Sequence, residues 1–261
     1  MDLYDAIFAR KTVEKFKNDK IPPEDLEKIK KNFREIRGLF DNIHTEMVFL
    51  DNTEGKYFKR SPFVRTAPYY LVFYSEDSPR YLMNIGSLMQ QMALYICTRG
   101  YGSGYVTKLH IPEKLKKRGS LIYGGMLEFG YAKGDYIRKK AEVDRLHLNE
   151  LCIFKEQPRQ WVRQLLEAAR YAPSYLNDQP WRFIVFRDRI HIMAKKHKTE
   201  QMIIWTEKSL GILFANIMVA AEVLWLDVDL IRLEDFTSKN FPHGQYILSA
   251  ILKEQSAILK E

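Results

Sequence analysis

A chain of 261 residues that is 46% hydrophobic and 13% aromatic has the material for one large packed core or two small ones, which excludes an intrinsically disordered polymer. Its net charge of +8 arises from 41 basic and 33 acidic residues spread along the chain, so a solvated basic surface explains it better than a nucleic-acid face, and an anionic ligand would be served equally. Its two cysteines have neither CxxC nor Cys/His spacing, which excludes a disulfide framework and gives no metal site.

In chain order, residues 3–9 predict a short helix with Leu3, Ile7 and Phe8 inward, followed directly by the basic triplet Arg10-Lys11-Thr12. Pro22-Pro23-Glu24-Asp25 predicts a helix start, with prolines and acids where unpaired N–H groups and the helix dipole favour them. Leu26, Ile29, Phe33 and Ile36 continue that helix at helical spacing. Residues 46–50 and 68–74 read as strands, the second apolar enough to be central. From Tyr81 a long helix carries Leu82, Ile85, Met89, Met92, Ala93 and Ile96 on one face, ends at Gly100, and leads through Gly102-Ser103-Gly104 into another strand. Residues 121–131 predict a further strand broken at Gly124-Gly125, with the basic run Arg138-Lys139-Lys140 beyond it.

From about Asp144 the same order begins again. Residues 148–154 predict a short helix, and Pro158 opens a helix bearing Val162, Leu165, Ala169 and Ala172. Two strands then turn at Arg187-Asp188, and a long helix follows with Leu210, Leu213, Phe214, Ile217, Met218, Ala221 and Leu224 inward. Strands at 228–231 and 245–252 close the chain. Laying Gly86 over Gly211, Ile7-Phe8 over Ile153-Phe154, and the Leu26 helix over the Val162 helix predicts an internal duplication. Cys97 and Cys152, in helix-like apolar contexts, read as buried thiols of a reducing compartment. The uncharged stretch 209–221 is too short to cross a bilayer, and the N-terminus lacks the basic and apolar regions of a signal peptide. The expectation is a soluble, cytoplasmic protein with no membrane or nucleic-acid partner.

One stretch organises the rest: Ala172-Pro173-Ser174-Tyr175-Leu176-Asn177-Asp178-Gln179-Pro180-Trp181. Pro173 ends the preceding helix, because a proline ring pushes the residue before it out of the α region. Ser174, Asn177 and Gln179 are short polar side chains suited to hydrogen-bonding a flat heteroaromatic ligand, although the stretch also reads simply as a polar loop punctuated by two prolines. Together with Glu167-Ala168-Ala169-Arg170-Tyr171 before it and Arg182-Phe183 after it, the stretch resembles the signature of the nitroreductase family of FMN oxidoreductases. Arg10-Lys11-Thr12 stands where that family has a basic triplet. In the family the two marks lie a few tens of residues apart; here the second comes only at Pro173.

The resemblance implies an α+β, nitroreductase-like fold in two divergent halves, 1–143 and 144–261. Each half would have a mostly antiparallel sheet flanked by helices, and the two would form an intramolecular pseudo-dimer. Family members are typically homodimers with FMN in the interface, one subunit's basic triplet on the phosphate and the other's APS-type segment on the ring. Here the first half keeps Arg10, Lys11, Thr12, Gly102, Ser103, Gly104, Arg138 and Lys139, and the second keeps Pro173, Ser174, Asn177 and Gln179. The overlay sets Glu156 opposite Arg10, and Trp225, Asp227 and Asp229 opposite Gly100, Gly102 and Gly104. It puts Arg37-Gly38-Leu39-Phe40 where the first half's own APS segment would lie. One composite FMN site in a monomeric chain is the expectation.

In that site Arg10, with Arg138 and Lys139, would make charge-assisted bonds to phosphate, Thr12 would add a hydroxyl, and the glycines would let backbone N–H groups approach the ring. Flavin carries the redox chemistry, so no catalytic side chain and no metal is assigned. NAD(P)H would donate, and a nitroaromatic, quinone or similar small molecule would accept. Plainer readings stand beside these: Arg10-Lys11 decorating a helix end, Arg138-Lys139-Lys140 as a solvated run, and Gly102-Ser103-Gly104 as a helix cap and turn. His110 and His243 have no partners at ligand or triad spacing. The alternative function is an FMN carrier or sensor without turnover, and a third is a flavin-free nucleic-acid-associated protein.

Overall fold

In a computed structural model of the protein, residues 1–59, 66–138, 143–237 and 244–254 are described. Lys139, Lys140 and His243 fall outside them. The chain divides into two compact units, Met1–Val143 and Asp144–Glu261.

The first unit runs α1 (Leu3–Ala9), α2 (Pro23–Glu35), β1 (Thr45–Asp51), β2 (Tyr69–Ser75), α3 (Tyr81–Thr98), β3 (Gly102–Tyr105), β4 (Lys117–Arg118) and β5 (Leu121–Gly130). The Asp2 carboxylate accepts from the Asp5 N–H at 2.7 Å to start α1, and Pro23 with Glu24 and Asp25 opens α2. The strands pair antiparallel in the order β1-β2-β5-β3, with β4 against β5. Every residue of β2 is buried because both faces are covered. Tyr69, Leu71 and Phe73 pack with Ile85, Met89 and Met92 of α3, while Tyr70, Val72 and Tyr74 pack with Val13, Leu50 and Met126. Phe73 pairs with Gly125 and Tyr74 with Tyr123, so Gly124 is the extra residue of a bulge. A Cβ there would lie 2.7 Å from Ile85 Cγ1, so glycine lets α3 sit close on the sheet. The Asp25 carboxylate ties α2 to the end of α3, accepting from Arg99 Nη2 and from the Tyr101 hydroxyl, each at 2.7 Å.

The second unit runs α4 (Leu148–Leu151), β6 (Cys152–Phe154), α5 (Gln160–Arg170), β7 (Trp181–Val185), β8 (Arg189–Lys195), α6 (Glu200–Val223), β9 (Leu226–Ile231), α7 (Glu234–Thr237) and β10 (Gly244–Glu254). Its sheet order is β6-β7-β8-β10-β9, antiparallel except for the parallel pair β6–β7. The helix expected over 148–154 stops at Leu151, because Cys152, Ile153 and Phe154 pair along Phe183, Ile184 and Val185 of β7. Cys152 is therefore a strand residue; both it and Cys97 are buried free thiols. α6 is long and apolar enough to cross a membrane, yet 61% of its apolar window is buried in the protein, as in a core helix.

Without the edge pieces β4 and β6, the sheets read β1-β2-β5-β3 and β7-β8-β10-β9. In both, the first, second, fourth and third strands stand side by side, with the long helix between the second and third. A further correspondence is local. Phe40 N–H donates to Asn84 Oδ1 at 3.2 Å, and Tyr175 N–H donates to Ser209 Oγ at 3.3 Å. Asn84 and Ser209 each stand two residues before the glycines laid together in the sequence, Gly86 and Gly211. The N-terminal segments depart from this pattern. Thr12 bridges Ser103 of β3, whereas β6 pairs with β7, at the other end of the strand order. Ile7-Phe8 is helical and Ile153-Phe154 is extended, so the pairing of Arg10 with Glu156 has no structural counterpart. Glu156 instead accepts from the Arg187 N–H at 3.1 Å.

Candidate functional site

The residues singled out in the first unit come together at the edge of its sheet. The chain leaves α1 at Arg10, then runs beside β3, where Thr12 bridges Ser103 and Val13 N–H donates to Ser103 O at 3.0 Å. The glycines permit this approach. A Cβ on Gly102 would lie 2.7 Å from Val13 Cγ2, and one on Gly104 would lie 2.4 Å from Val13 O. They admit the 10–13 segment, so the space before their Cα atoms is filled by Val13. Gly104→Ala is expected to push that segment away and destabilise the fold by about 1–3 kcal/mol, the scale of overpacking. A urea midpoint equal to the parent's would show that the segment yields freely.

Arg10 is only 3% exposed. Its Nη2 reaches Ser103 O at 3.5 Å and its guanidinium lies 5.2 Å from the Tyr105 ring centroid. Among the described residues it has no carboxylate partner, and its Nε is buried without an acceptor. Ser103 Oγ is likewise buried with no partner among the described residues. Arg138 is half-buried and donates through Nε (2.8 Å) and Nη2 to the Arg10 carbonyl, bringing a second guanidinium to the Arg10 backbone. Lys11 and Thr12 are exposed; Lys11 N–H donates to Tyr136 O at 2.9 Å. Burying a guanidinium without a counter-charge costs several kcal/mol, so this arrangement calls for an anion.

Glu128 of β5 stands in register with Gly104 and Tyr70. Burial first, and Glu14 second, push its carboxyl up to about 8, so at neutral pH it is largely uncharged. Nothing in the sequence marks it, since an acid in a strand reads as a surface residue, and only the folded register sets it opposite Gly104.

In the second unit Pro173, Ser174, Asn177 and Gln179 share one loop between α5 and β7. Leu176, Asn177 and Gln179 are left-handed, with φ of 53°, 55° and 46°. Such strain persists only where surrounding contacts over-determine it. Here those contacts consume the polar side chains. Asn177 Oδ1 accepts from Arg145 Nη1 at 2.7 Å, and Nδ2 donates to the Asp144 carbonyl and carboxylate at 3.1 Å each. Gln179, 5% exposed, accepts from Leu146 N–H at 2.8 Å. Ser174 Oγ accepts from Gln179 N–H at 2.9 Å. Lys195 holds Asp178 Oδ1 at 3.0 Å, and His197 Nε2 lies 3.3 Å from Oδ2. The loop presents half-buried Pro173 and Ser174 and the exposed Leu176. Tyr175 stacks on Trp205 at 5.1 Å and 11°. Burial raises the Tyr175 hydroxyl to about 12 and, one turn along α6 from Trp205, lowers the Lys208 ammonium to about 8. Tyr175, Trp205 and Lys208 carried no sequence signal, because aromatic and basic residues at helical spacing read as core and surface.

Comparison with known proteins adds the following. The family model described as "Putative TM nitroreductase" matches residues 2–221. The fold is similar to that of a protein described as a putative nitroreductase from Thermotoga maritima, with TM-score 0.65 and 17% identity over 96% of this chain and 94% of that one. An FMN-dependent nitroreductase of Clostridium difficile is matched over 54% of this chain and 96% of its own, at 15% identity and TM-score 0.42. A protein described as a putative NADH oxidase from Clostridium acetobutylicum is matched over 57% of this chain and 96% of its own, at 15% identity and TM-score 0.43. No curated protein sequence matches significantly.

Proposed function

The chain belongs to the TM nitroreductase family, and from that membership we propose that it is an FMN-dependent NAD(P)H oxidoreductase acting on a nitroaromatic, quinone or similar small acceptor. The observation that carries the cofactor is Arg10, a buried guanidinium with no counter-anion among the described residues, whose carbonyl holds the Arg138 guanidinium and whose neighbour Ser103 has a buried hydroxyl without a partner among those residues. These donors fit a phosphate monoester, which takes bidentate, charge-assisted hydrogen bonds. Bound FMN would supply the two-electron chemistry. The chain's own residues bind and orient. Arg10 and Arg138 hold the phosphate, with Lys11 and Thr12 at its rim, and Gly102, Ser103 and Gly104 keep the Arg10 segment in place.

In this reading Asn177 and Gln179 stiffen the loop on which Pro173, Ser174 and Leu176 meet the flavin ring, and their amides serve the loop more than the ligand. The matching strand orders of the two units support an internal duplication, and we infer one composite site per chain, a monomeric pseudo-dimer and a cytoplasmic setting. The test is spectroscopic. The purified protein should take up one equivalent of FMN, show visible flavin absorbance, and bleach with NADH or NADPH under anaerobic conditions. A yellow protein that neither nucleotide bleaches would be the carrier or sensor. A protein that takes up no FMN would end the proposal, and uptake of two equivalents would end the single composite site.

A further inference from the structure

We propose that Tyr105 is a positioning residue of the Arg10 site: its ring holds the guanidinium with the N–H edge open to a phosphate, and this contact makes the chain prefer a phosphorylated flavin to an unphosphorylated one. The inference rests on the FMN reading above and assigns the source of selectivity within that site.

Tyr105 ends β3, two positions after Ser103, so the two side chains leave the strand on the same face. The Arg10 guanidinium carbon lies over its ring, 5.2 Å from the centroid, within the range of a cation–π contact. Such a contact uses the face of the ring and takes up none of the N–H donors, which point outward in the guanidinium plane. A carboxylate in the same place would consume two of those donors and cancel the charge. Among the described residues the one hydrogen bond from the Arg10 side chain is the long Nη2 contact to Ser103 O at 3.5 Å, and Nε is buried without an acceptor. Nor does the thiol of α3 supply a counter-charge. Burial raises the Cys97 thiol and outweighs the pull of Arg10 and Arg138, so it stays protonated at neutral pH. The ring therefore steadies a buried cation while leaving its charge and donors for a ligand.

Tyr105 is itself anchored. Its hydroxyl donates to Oε1 of Gln90, a residue of α3 that is 1% exposed, and its ring packs against the core that α3 forms with β2. A guanidinium already ordered before the ligand arrives loses less freedom on binding it. Riboflavin, with no phosphate, gains nothing from that order.

The test is fluorescence titration of the purified full chain with FMN and with riboflavin. Tyr105→Leu should weaken FMN binding about tenfold and leave riboflavin within about twofold, whereas Tyr105→Phe, which keeps the ring face, should hold FMN within about threefold of the parent. In an Arg10→Met background Tyr105→Leu should weaken FMN no further, because the ring acts through the guanidinium. Should Tyr105→Leu not fold, pentafluorophenylalanine at the same position keeps the ring's shape without its negative face, and should weaken FMN to the same extent. Equal losses of both flavins, an additive loss in the double variant, or FMN affinity unmoved by loss of the negative ring face would each overturn the proposal and leave the FMN site standing. A parent chain that takes up no FMN would end both.

Discussion

Replacing Arg10 with methionine is expected to weaken FMN binding ten- to a hundredfold while making the ligand-free protein more stable. The first effect is the loss of charge-assisted hydrogen bonds to phosphate, about 1.5–3 kcal/mol. Riboflavin, which lacks the phosphate, should bind the variant as it binds the parent. The second effect follows from the 3% exposure of Arg10 and its lack of a carboxylate partner among the described residues. A thioether of similar length removes the desolvation penalty of the unpaired charge, so the melting temperature should rise by about 2–4 °C for each kcal/mol recovered. Fluorescence titration with both flavins and thermal melts without ligand measure the two effects. A lower melting temperature, with equal losses for FMN and riboflavin, would mean that Arg10 serves the fold through Ser103 and Tyr105.

Glu128 should make the protein less stable as pH rises from about 4.5 to 8. Burial holds its carboxyl near 8 in the folded chain, against an ordinary value near 4.3 when unfolded. Across that window the folded state binds the extra proton. The contribution of Glu128 is therefore full below the unfolded value, declines with pH, and is lost above about 8. Full conversion gives about 5 kcal/mol, and solvent at the half-buried side chain reduces this to about 2–4 kcal/mol. Glu128→Gln keeps the shape and removes the titration, so its urea midpoint should fall less than the parent's between pH 5 and 8.5. Parallel pH profiles for the two proteins would refute the assignment.

Much of the fold was legible in the chain because local rules and tertiary packing agree. The expected strand at 68–74 is β2, and its continuous apolar run matches a strand covered on both faces. Pro22-Pro23-Glu24-Asp25 opens α2 as its capping chemistry requires. The long helices α3 and α6 stand where their apolar content put them, but both are buried on nearly every side rather than along one face, and Met218 of α6, expected inward, is exposed. Residues 148–154 failed for a physical reason. Their apolar spacing fits one helical turn and also an edge strand, and long-range pairing with β7 took Cys152, Ile153 and Phe154.

By itself the sequence determined the family resemblance, the order of elements and the identity of the residues to watch, since these depend on residue type and near-neighbour spacing. Tertiary structure decided what those residues touch. Gly102 and Gly104 look like open approaches to a ligand, and only folding shows Val13 filling the space before them. Asn177 and Gln179 look like free hydrogen-bonding groups, yet residues 144–146, more than thirty positions earlier, take up their amides. Arg10 reads as a charge at a helix end until packing seals it among Ser103, Tyr105 and Arg138 without a carboxylate. Burial and hydrogen-bond satisfaction depend on contacts between residues far apart in the chain, and no local pattern encodes them.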